Sequence, residues 1–238
     1  MTGASPLLRP VKDGNTFEQT VERLATAIRM GVVPTGERLP PERDLAEQLG
    51  VSRVTLRQAI KALQQVDYVV STRGRHGGTV VVYDPASRET GDPRRVASRL
   101  GADEVLDALS FRSVVEPGAA ALAASRQLGD DELARLREAL VVVGSAEGQA
   151  RRIADSQFHI LVAALSGSAS VAAAVADVQS RLDELLTAIP VFGVNIAHSD
   201  AQHKRIARAI ARGEVTGART AMAEHVEGTA ALLRGLLA

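Results

Sequence analysis

The chain has 238 residues and a formal net charge of zero, with 45% hydrophobic residues, 3% aromatic residues and no cysteine. The hydrophobic fraction is that of an ordinary globular protein. No run of about 18 apolar residues is present, which excludes a helical membrane span. The absence of cysteine excludes disulfides and thiolate metal sites, and the scarcity of aromatic residues disfavours recognition of single strands by base stacking.

The opening segment, residues 1–14, lacks the apolar core of a secretory signal, so we expect a disordered leader on a cytoplasmic protein. The charges are unevenly distributed along the chain. Up to Tyr83 the basic residues outnumber the acidic ones by three, and from Asp84 onward the acidic residues are in excess by three. This asymmetry is compatible with a basic N-terminal domain that binds nucleic acid and an acidic C-terminal domain.

Three helices are predicted in the first third of the chain. The first has apolar residues at helical spacing from Phe17 and stops at Gly31. A short second helix follows Pro41, and Gly50 suits the left-handed residue that ends it. The third begins after Ser52, whose hydroxyl is a preferred helix N-cap.

A β-hairpin is predicted after the third helix. Residues 68–70 and 79–82 are rich in Val, Tyr and Thr, and they flank the glycine-rich turn 73–78. Two helices joined by a short turn and followed by a hairpin form a winged helix-turn-helix. We therefore expect such a DNA-binding domain over residues 15–83.

The remainder of the chain is predicted to be helical. Residues 84–93 are polar with two prolines and indicate a linker. Residues 94–238 are rich in Ala and Leu without a convincing strand, so we expect an all-α antiparallel bundle. The expected helices cover residues 94–108, 110–127, 130–143, 149–165, 169–188, 199–212 and 215–236.

The third helix carries the candidate DNA contacts. In a helix-turn-helix the second helix of the motif enters the major groove, and its N-terminal residues reach the base edges. Here these residues are Ser52, Arg53, Thr55 and Arg57. Arginine can grip guanine through two hydrogen bonds, and hydroxyls at a helix start suit phosphate groups.

This region resembles a known family. The stretch from Gly36 to Ile60, GERLPPERDLAEQLGVSRVTLRQAI, followed by Leu63 and the glycine-rich wing, is similar to the GntR family of transcription regulators. The resemblance implies DNA contacts from Arg43, Ser52, Arg53, Thr55, Arg57 and Arg73. One departure is Asp67, where the family usually has glycine before the wing strand.

A candidate metal site lies in the helical part. Asp155 and His159 are four residues apart and share one helix face, while His203 and His225 lie near the apolar stripes of two later helices. Three helices can thus direct one carboxylate and three imidazoles to one interior point. Such a set suits Zn²⁺ or Ni²⁺. His198 is five residues from His203, and we expect it in a loop or on the surface.

The same residues carry a second resemblance. The patterns Asp155-x-x-Phe158-His159, Gln202-His203-x-x-Ile206 and Ala218-x-x-x-Met222-x-x-His225 resemble the FCD domain of the FadR subfamily. In metal-binding members the ligands fall at Asp155, His159, His203 and His225. The resemblance also implies that Arg112 binds a carboxylate effector, and Ser168 stands where the family commonly has asparagine.

The sequence therefore predicts a regulator rather than an enzyme. We expect a homodimeric repressor that binds an inverted-repeat operator and responds to a small organic acid near a divalent metal. One alternative is a regulator for which the metal itself is the signal. A metal-dependent hydrolase is the other, although it leaves the N-terminal 80 residues without a role and offers no further carboxylate as general base.

Overall fold

The fold was analysed in a computed structural model that describes residues 8, 10–11, 14–72, 78–83, 102–187, 189 and 192–237. Arg73, most of the leader and the linker 84–93 lie outside these residues. The chain forms two compact units. Unit 1 comprises Met1–Arg99, Ala188–Val194 and Gly228–Ala238, and unit 2 comprises Leu100–Thr187 and Asn195–Glu227. None of the helices within the described ranges is both long and apolar enough to cross a membrane.

Unit 1 contains three short helices at its N-terminal side: α1 (Thr16–Arg29), α2 (Glu42–Leu49) and α3 (Arg53–Gln65). Helices α2 and α3 each bury one apolar stripe and leave a polar face in solvent, the pattern expected of helices around a small core. No residue of α1 is exposed, and this helix buries Glu18 and Thr20 together with its apolar residues. The stripe of α3 is the predicted one, with all four members at most 5% exposed: Leu56, Ala59, Ile60 and Leu63.

Two antiparallel strands follow, β1 (Val69–Thr72) and β2 (Gly78–Val81), with Val69 opposite Val81. The segment 36–39 lies along β2, because Leu39 N–H donates to Thr79 O at 2.8 Å and Gly36 N–H donates to Val81 O at 2.8 Å. The predicted three helices and hairpin are thus confirmed, and the sequence pattern had not indicated the additional segment.

The C-terminal segment of the chain also belongs to unit 1. Helix α9 (Val215–Leu237) reaches this unit with its last residues, where Arg234 Nε pairs with Glu22 Oε1 on α1 at 2.7 Å. Arg29 donates to the carbonyl oxygens of Gly235 at 2.5 Å and Arg234 at 3.2 Å. A Cβ atom on Gly235 would lie 2.7 Å from Glu22 Cα, so the two helix backbones approach closely.

Unit 2 is built entirely from helices within the residues that the structure describes. Besides most of α8 (Gly193–Ala211) and most of α9, they are α4 (Ala102–Ser125), α5 (Asp130–Ser145), α6 (Gly148–Leu165) and α7 (Ala169–Thr187). Their core includes Phe158, Val162, Ile206, Met222 and Val226, contributed by α6, α8 and α9. The mainly helical fold class is confirmed.

One helix prediction is wrong. Residues 102–125 form a single helix, whereas the sequence analysis placed a break between residues 108 and 110. This helix buries residues around much of its circumference, including Leu109, Arg112 and Glu116, so its sequence shows no single apolar stripe whose phase could be followed across residue 109. The predicted residues 94–101 lie outside the part of the chain that the structure describes.

Candidate DNA-binding surface and metal centre

The turn between α2 and α3 has the local chemistry of a helix-turn-helix. Gly50 has φ +65° and ends α2 in the left-handed conformation, as the sequence analysis expected. Ser52 caps α3, because its hydroxyl oxygen accepts the Thr55 N–H at 3.0 Å. The N-terminus of α3 is therefore fixed at Ser52, with Arg53 as its first helical residue.

The predicted DNA-contacting side chains lie on the solvent side of α2 and α3. Ser52, Arg53 and Arg57 are exposed and Thr55 is half-buried. Arg57 Nε lies 2.7 Å from Glu42 Oε2, an ion pair that joins α3 to the first turn of α2. Arg43 is 81% exposed and pairs with its neighbour Asp44. Arg73 lies outside the described residues.

Unit 2 brings the four predicted metal ligands together. One ligand atom from each of Asp155, His159, His203 and His225 lies within 4.8 Å of the others. The Nε2 atom of His225 is 3.1 Å from that of His159 and 3.2 Å from that of His203. Atoms bound about 2.0–2.1 Å from one zinc ion at tetrahedral or octahedral angles are about 2.9–3.4 Å apart. The distances from His225 Nε2 to the other two imidazole nitrogens therefore fit a common ion.

Asp155 completes the group from the half-exposed side. Its two carboxylate oxygens lie 3.7 Å from His159 Nε2 and 3.4 Å from His203 Nε2. Asp155 and His159 are one turn apart on α6, while α8 provides His203 and α9 provides His225. The three imidazoles are at most 3% exposed, so the ligand group opens toward solvent on the carboxylate side.

Hydrogen bonding sets the tautomers of two histidines. Gln202 Oε1 can only accept, and it lies 3.0 Å from His225 Nδ1, which therefore carries the ring proton. His159 Nδ1 lies 2.5 Å from Glu116 Oε2, a separation that requires a proton between the two atoms. In the neutral form of each ring, the Nε2 lone pair is therefore directed at the common point, as a metal ion requires.

Burial keeps these imidazoles in the form that binds metal. It lowers the pKa of His203 to about 4, and Asp155 only partly opposes this effect. Burial also lowers the pKa of His225 well below its usual value, and the neighbouring His203 adds to the shift. Both rings are therefore neutral at pH 7 and carry a free lone pair without any ion being present.

Glu116 lies directly behind this centre and was not identified as functional from the sequence. Its Oε1 atom accepts from Arg112 Nε at 2.8 Å and from Gln179 Nε2 at 2.7 Å, and its Oε2 atom faces His159. Burial alone raises the pKa of Glu116, but Arg112 and His159 outweigh that effect and lower the pKa to about 2. The signal in the sequence was an Arg–Glu pair four residues apart within an apolar helix.

Arg112, the predicted effector contact, is part of the same buried network. It is 1% exposed, and its Nη1 atom has no hydrogen-bond partner among the residues that the structure describes. Gln179 Oε1 likewise lacks a partner within that part of the chain. Unpaired buried donors and acceptors are costly, so these two atoms are candidate contacts for a bound polar ligand.

The remaining histidines are not in the ligand group. His76 lies outside the described residues. His198 lies in helix α8 and is half-buried, so it does not lie in a loop, the first of the two positions predicted for it. The cause is the start of α8 at Gly193, six residues before the predicted start at residue 199.

Comparison with protein families gives two matches. Residues 16–81 match the gntR family of bacterial regulatory proteins, and residues 107–228 match the FCD domain. The HTH-type transcriptional regulator RmpR of Mycobacterium gastri is 33% identical over 93% of this chain and 81% of its own length. The regulator LutR of Bacillus subtilis is 29% identical over 87% of this chain and 96% of its own.

A further curated relative is the Exu regulon transcriptional regulator of Escherichia coli, 28% identical over 91% of this chain and 84% of its own. Among solved structures, McbR/YncC of E. coli is similar in fold, with a TM-score of 0.51 and 20% identity over 92% of this chain and 96% of that one. The matched families and these relatives are transcription regulators, not enzymes, which confirms the prediction against catalysis. The chain belongs to the gntR family of bacterial regulatory proteins and is a DNA-binding transcription regulator with an FCD domain.

Proposed function

We propose that this regulator is a repressor whose α3 helix reads an inverted-repeat operator in the major groove. The DNA contacts are Arg43, Ser52, Arg53, Thr55, Arg57 and Arg73. The observation that carries the proposal is the capped N-terminus of α3, with Arg53 and Arg57 exposed on its solvent face. The cap leaves backbone N–H groups for a phosphate, while the two guanidinium groups reach base edges.

Quantitative footprinting tests these proposed DNA contacts. The operator is first located in the DNA upstream of the chain's own gene. Each good arginine–guanine pair contributes about 1–3 kcal/mol, so we expect Arg53→Ala or Arg57→Ala to weaken operator binding by about 5- to 150-fold. Arg137→Ala changes an exposed arginine of unit 2 and serves as the matched control. Unchanged protection by the double variant Arg53→Ala/Arg57→Ala would refute the assignment.

The FCD domain is proposed to hold Zn²⁺ or Ni²⁺ through Asp155, His159, His203 and His225. Support comes from the distances that His225 Nε2 makes with the Nε2 atoms of His159 and His203, and from the clustering of one ligand atom from each of the four side chains within 4.8 Å. A divalent ion bound there supplies positive charge and open coordination positions for oxygen atoms of an effector. Arg112, with an unpaired Nη1 atom, binds the carboxylate of a small organic acid beside it.

The alternative is that the metal itself is the signal. The two hypotheses are distinguished by measuring operator affinity after the metal has been removed with a chelator and Zn²⁺ or Ni²⁺ has been added back without any organic acid. If the acid is the signal, operator affinity stays unchanged on metal return and shifts about 5- to 150-fold only when a small carboxylate, found by thermal-shift screening, is also added. A shift with the metal alone establishes the alternative.

We also propose that the protein is a homodimer that pairs through one face of α4. Between Ala108 and Ser125 the only ionisable residues are Arg112 and Glu116, and each is 1% exposed. The outward positions of this stretch are therefore uncharged, and three of them are apolar: Phe111, Val114 and Leu122, which are 43%, 72% and 45% exposed. A charge-free helix face with exposed apolar side chains is typical of a protein interface.

A further inference from the structure

The Glu116 carboxylate is 1% exposed, and it contacts both parts of the proposed ligand site. One of its oxygens faces the ring of His159, and the other accepts from Arg112 and Gln179. All four side chains are at most 2% exposed. A buried carboxylate with these contacts holds its partners in one geometry, since breaking any of them leaves a buried polar group unpaired.

We propose that Glu116 is a positioning residue that directs the His159 lone pair at the metal and holds Arg112 in place for the effector. The inference rests on the proposed metal site. Its physical basis is the orientation of the His159 ring: Nδ1 faces Glu116 Oε2, so the neutral ring carries its proton on Nδ1 and offers the Nε2 lone pair at the point where it meets His225 Nε2. A carboxylate behind a ligating histidine fixes the tautomer and strengthens the ligand.

The contacts of Glu116 Oε1 determine how a glutamine side chain would be oriented at this position. Because Oε1 receives two donors, a neutral amide in place of the carboxylate must turn its own oxygen toward Arg112 and Gln179. Its NH₂ group then faces His159 Nδ1 and can only donate. Glu116→Gln should therefore move the His159 proton from Nδ1 to Nε2, where it occupies the position that the metal needs.

Two measurements on the full-length protein test this. Long-range ¹H–¹⁵N spectra of the metal-free protein report the tautomer of His159, whose signals are assigned by their loss in His159→Gln. Competition with a chromophoric chelator reports the affinity for Zn²⁺. For Glu116→Gln we expect the His159 proton on Nε2 and a 10- to 100-fold lower affinity for Zn²⁺.

Two matched variants separate positioning from general damage to the core. Gln179→Leu removes another buried member of the network but leaves the Glu116–His159 contact, so the proton should stay on Nδ1. Glu138→Gln changes an exposed carboxylate of the same unit and should leave both readouts unchanged. Equal shifts in Glu116→Gln and Gln179→Leu would reduce Glu116 to a structural role and overturn the proposal.

The outcomes also distinguish this inference from the metal site on which it rests. Wild-type protein that binds neither Zn²⁺ nor Ni²⁺ refutes the metal site, and Glu116 then has no metal ligand to position. Wild-type protein that binds Zn²⁺ while its metal-free form carries the His159 proton on Nε2 refutes only the role of Glu116. This last measurement needs no Glu116 variant, so it decides the question even if Glu116→Gln fails to fold.

Discussion

Asp67 has φ +55° and lies between α3 and β1, at the entry to the wing. A left-handed backbone is costly for most residues, while glycine adopts it freely and aspartate tolerates it better than most. In the resemblance to the GntR family, this position is one where the family usually has glycine. The structure shows that Asp67 itself adopts the left-handed conformation that glycine favours.

Substitutions at residue 67 should report this backbone cost. We expect Asp67→Ala to lower the free energy of unfolding by about 1 kcal/mol, because alanine at positive φ lacks the tolerance of aspartate. Asp67→Gly should leave the free energy of unfolding at the wild-type value or above it. Urea denaturation followed by circular dichroism measures both. Gln65→Ala, two residues earlier in right-handed helix, is the control, and an alanine variant at 67 as stable as wild type would contradict the argument.

The candidate ligands of the metal centre could be predicted from the sequence, whereas the buried residues around them could not. The spacing of Asp155 and His159 on one helix face, together with the motifs around His203 and His225, predicted four side chains whose ligand atoms the structure brings within 4.8 Å of one another. Glu116 and Gln179 were not identified, because their roles depend on three helices meeting at one point. No local pattern in the sequence records which buried carboxylate lies behind which imidazole.

At the scale of elements, the close approach of two helices depends on glycine, which has no side chain. Helix α9 ends against α1, where a Cβ atom on Gly235 would lie 2.7 Å from Glu22 Cα and 3.1 Å from Glu22 N. Backbone atoms cannot yield as the end of a flexible side chain can. Glycine at this position is therefore a packing requirement that outweighs its low helix propensity.

The substitution Gly235→Ala should disrupt this packing. Alanine normally stabilises a helix relative to glycine by about 1 kcal/mol, but here the overlap should lower the free energy of unfolding of the full-length protein by about 1–3 kcal/mol. Gly217→Ala is the control on the same helix, because its Cβ atom would make only contacts of 3.5 Å or longer. Thermal and chemical denaturation compare the two variants, and a Gly235→Ala protein more stable than Gly217→Ala would disprove the close approach.

Element types were well predicted from periodicity, and the errors have physical causes. The helices over 130–145, 148–165 and 169–187 begin and end within two residues of their predicted bounds. The break placed near residue 109 was wrong because α4 is buried around much of its circumference. The early start of α8 was missed because its first turn, from Gly193, contains no N-capping side chain or apolar stripe that marks a helix start.

At the scale of the whole molecule, the proposed dimer makes a prediction of its own. Val114→Glu places a charge at the most exposed apolar position of α4, so it should raise the dimer dissociation constant by at least tenfold through burial of an unpaired carboxylate. Light scattering coupled to gel filtration over a dilution series measures this shift. Val141→Glu, at a valine on α5 that is 69% exposed, is the matched control. Dimers of equal strength in both variants would remove α4 from the interface.

The division of the chain into units was the least predictable feature at this scale. The sequence analysis assigned everything after residue 93 to one helical domain, whereas the segments 188–194 and 228–238 belong to unit 1. The Glu22–Arg234 ion pair joins residues 212 positions apart. Contacts between residues so far apart in sequence produce no local periodicity. The regions that match the two families end at residues 81 and 228, so neither match covers the segment that carries Arg234.

This discontinuous unit has a consequence for how the protein is made. A ribosome synthesises a chain from its N-terminus, so α1 leaves the ribosome more than 200 residues before the segment that carries Arg234. The groups on α1 that bond to the last turns of α9, the carboxylate of Glu22 and the guanidinium of Arg29, remain without those partners until residues 234 and 235 have been translated. A chain that terminates before residue 234 would therefore lack these contacts within unit 1, the unit that also contains α3.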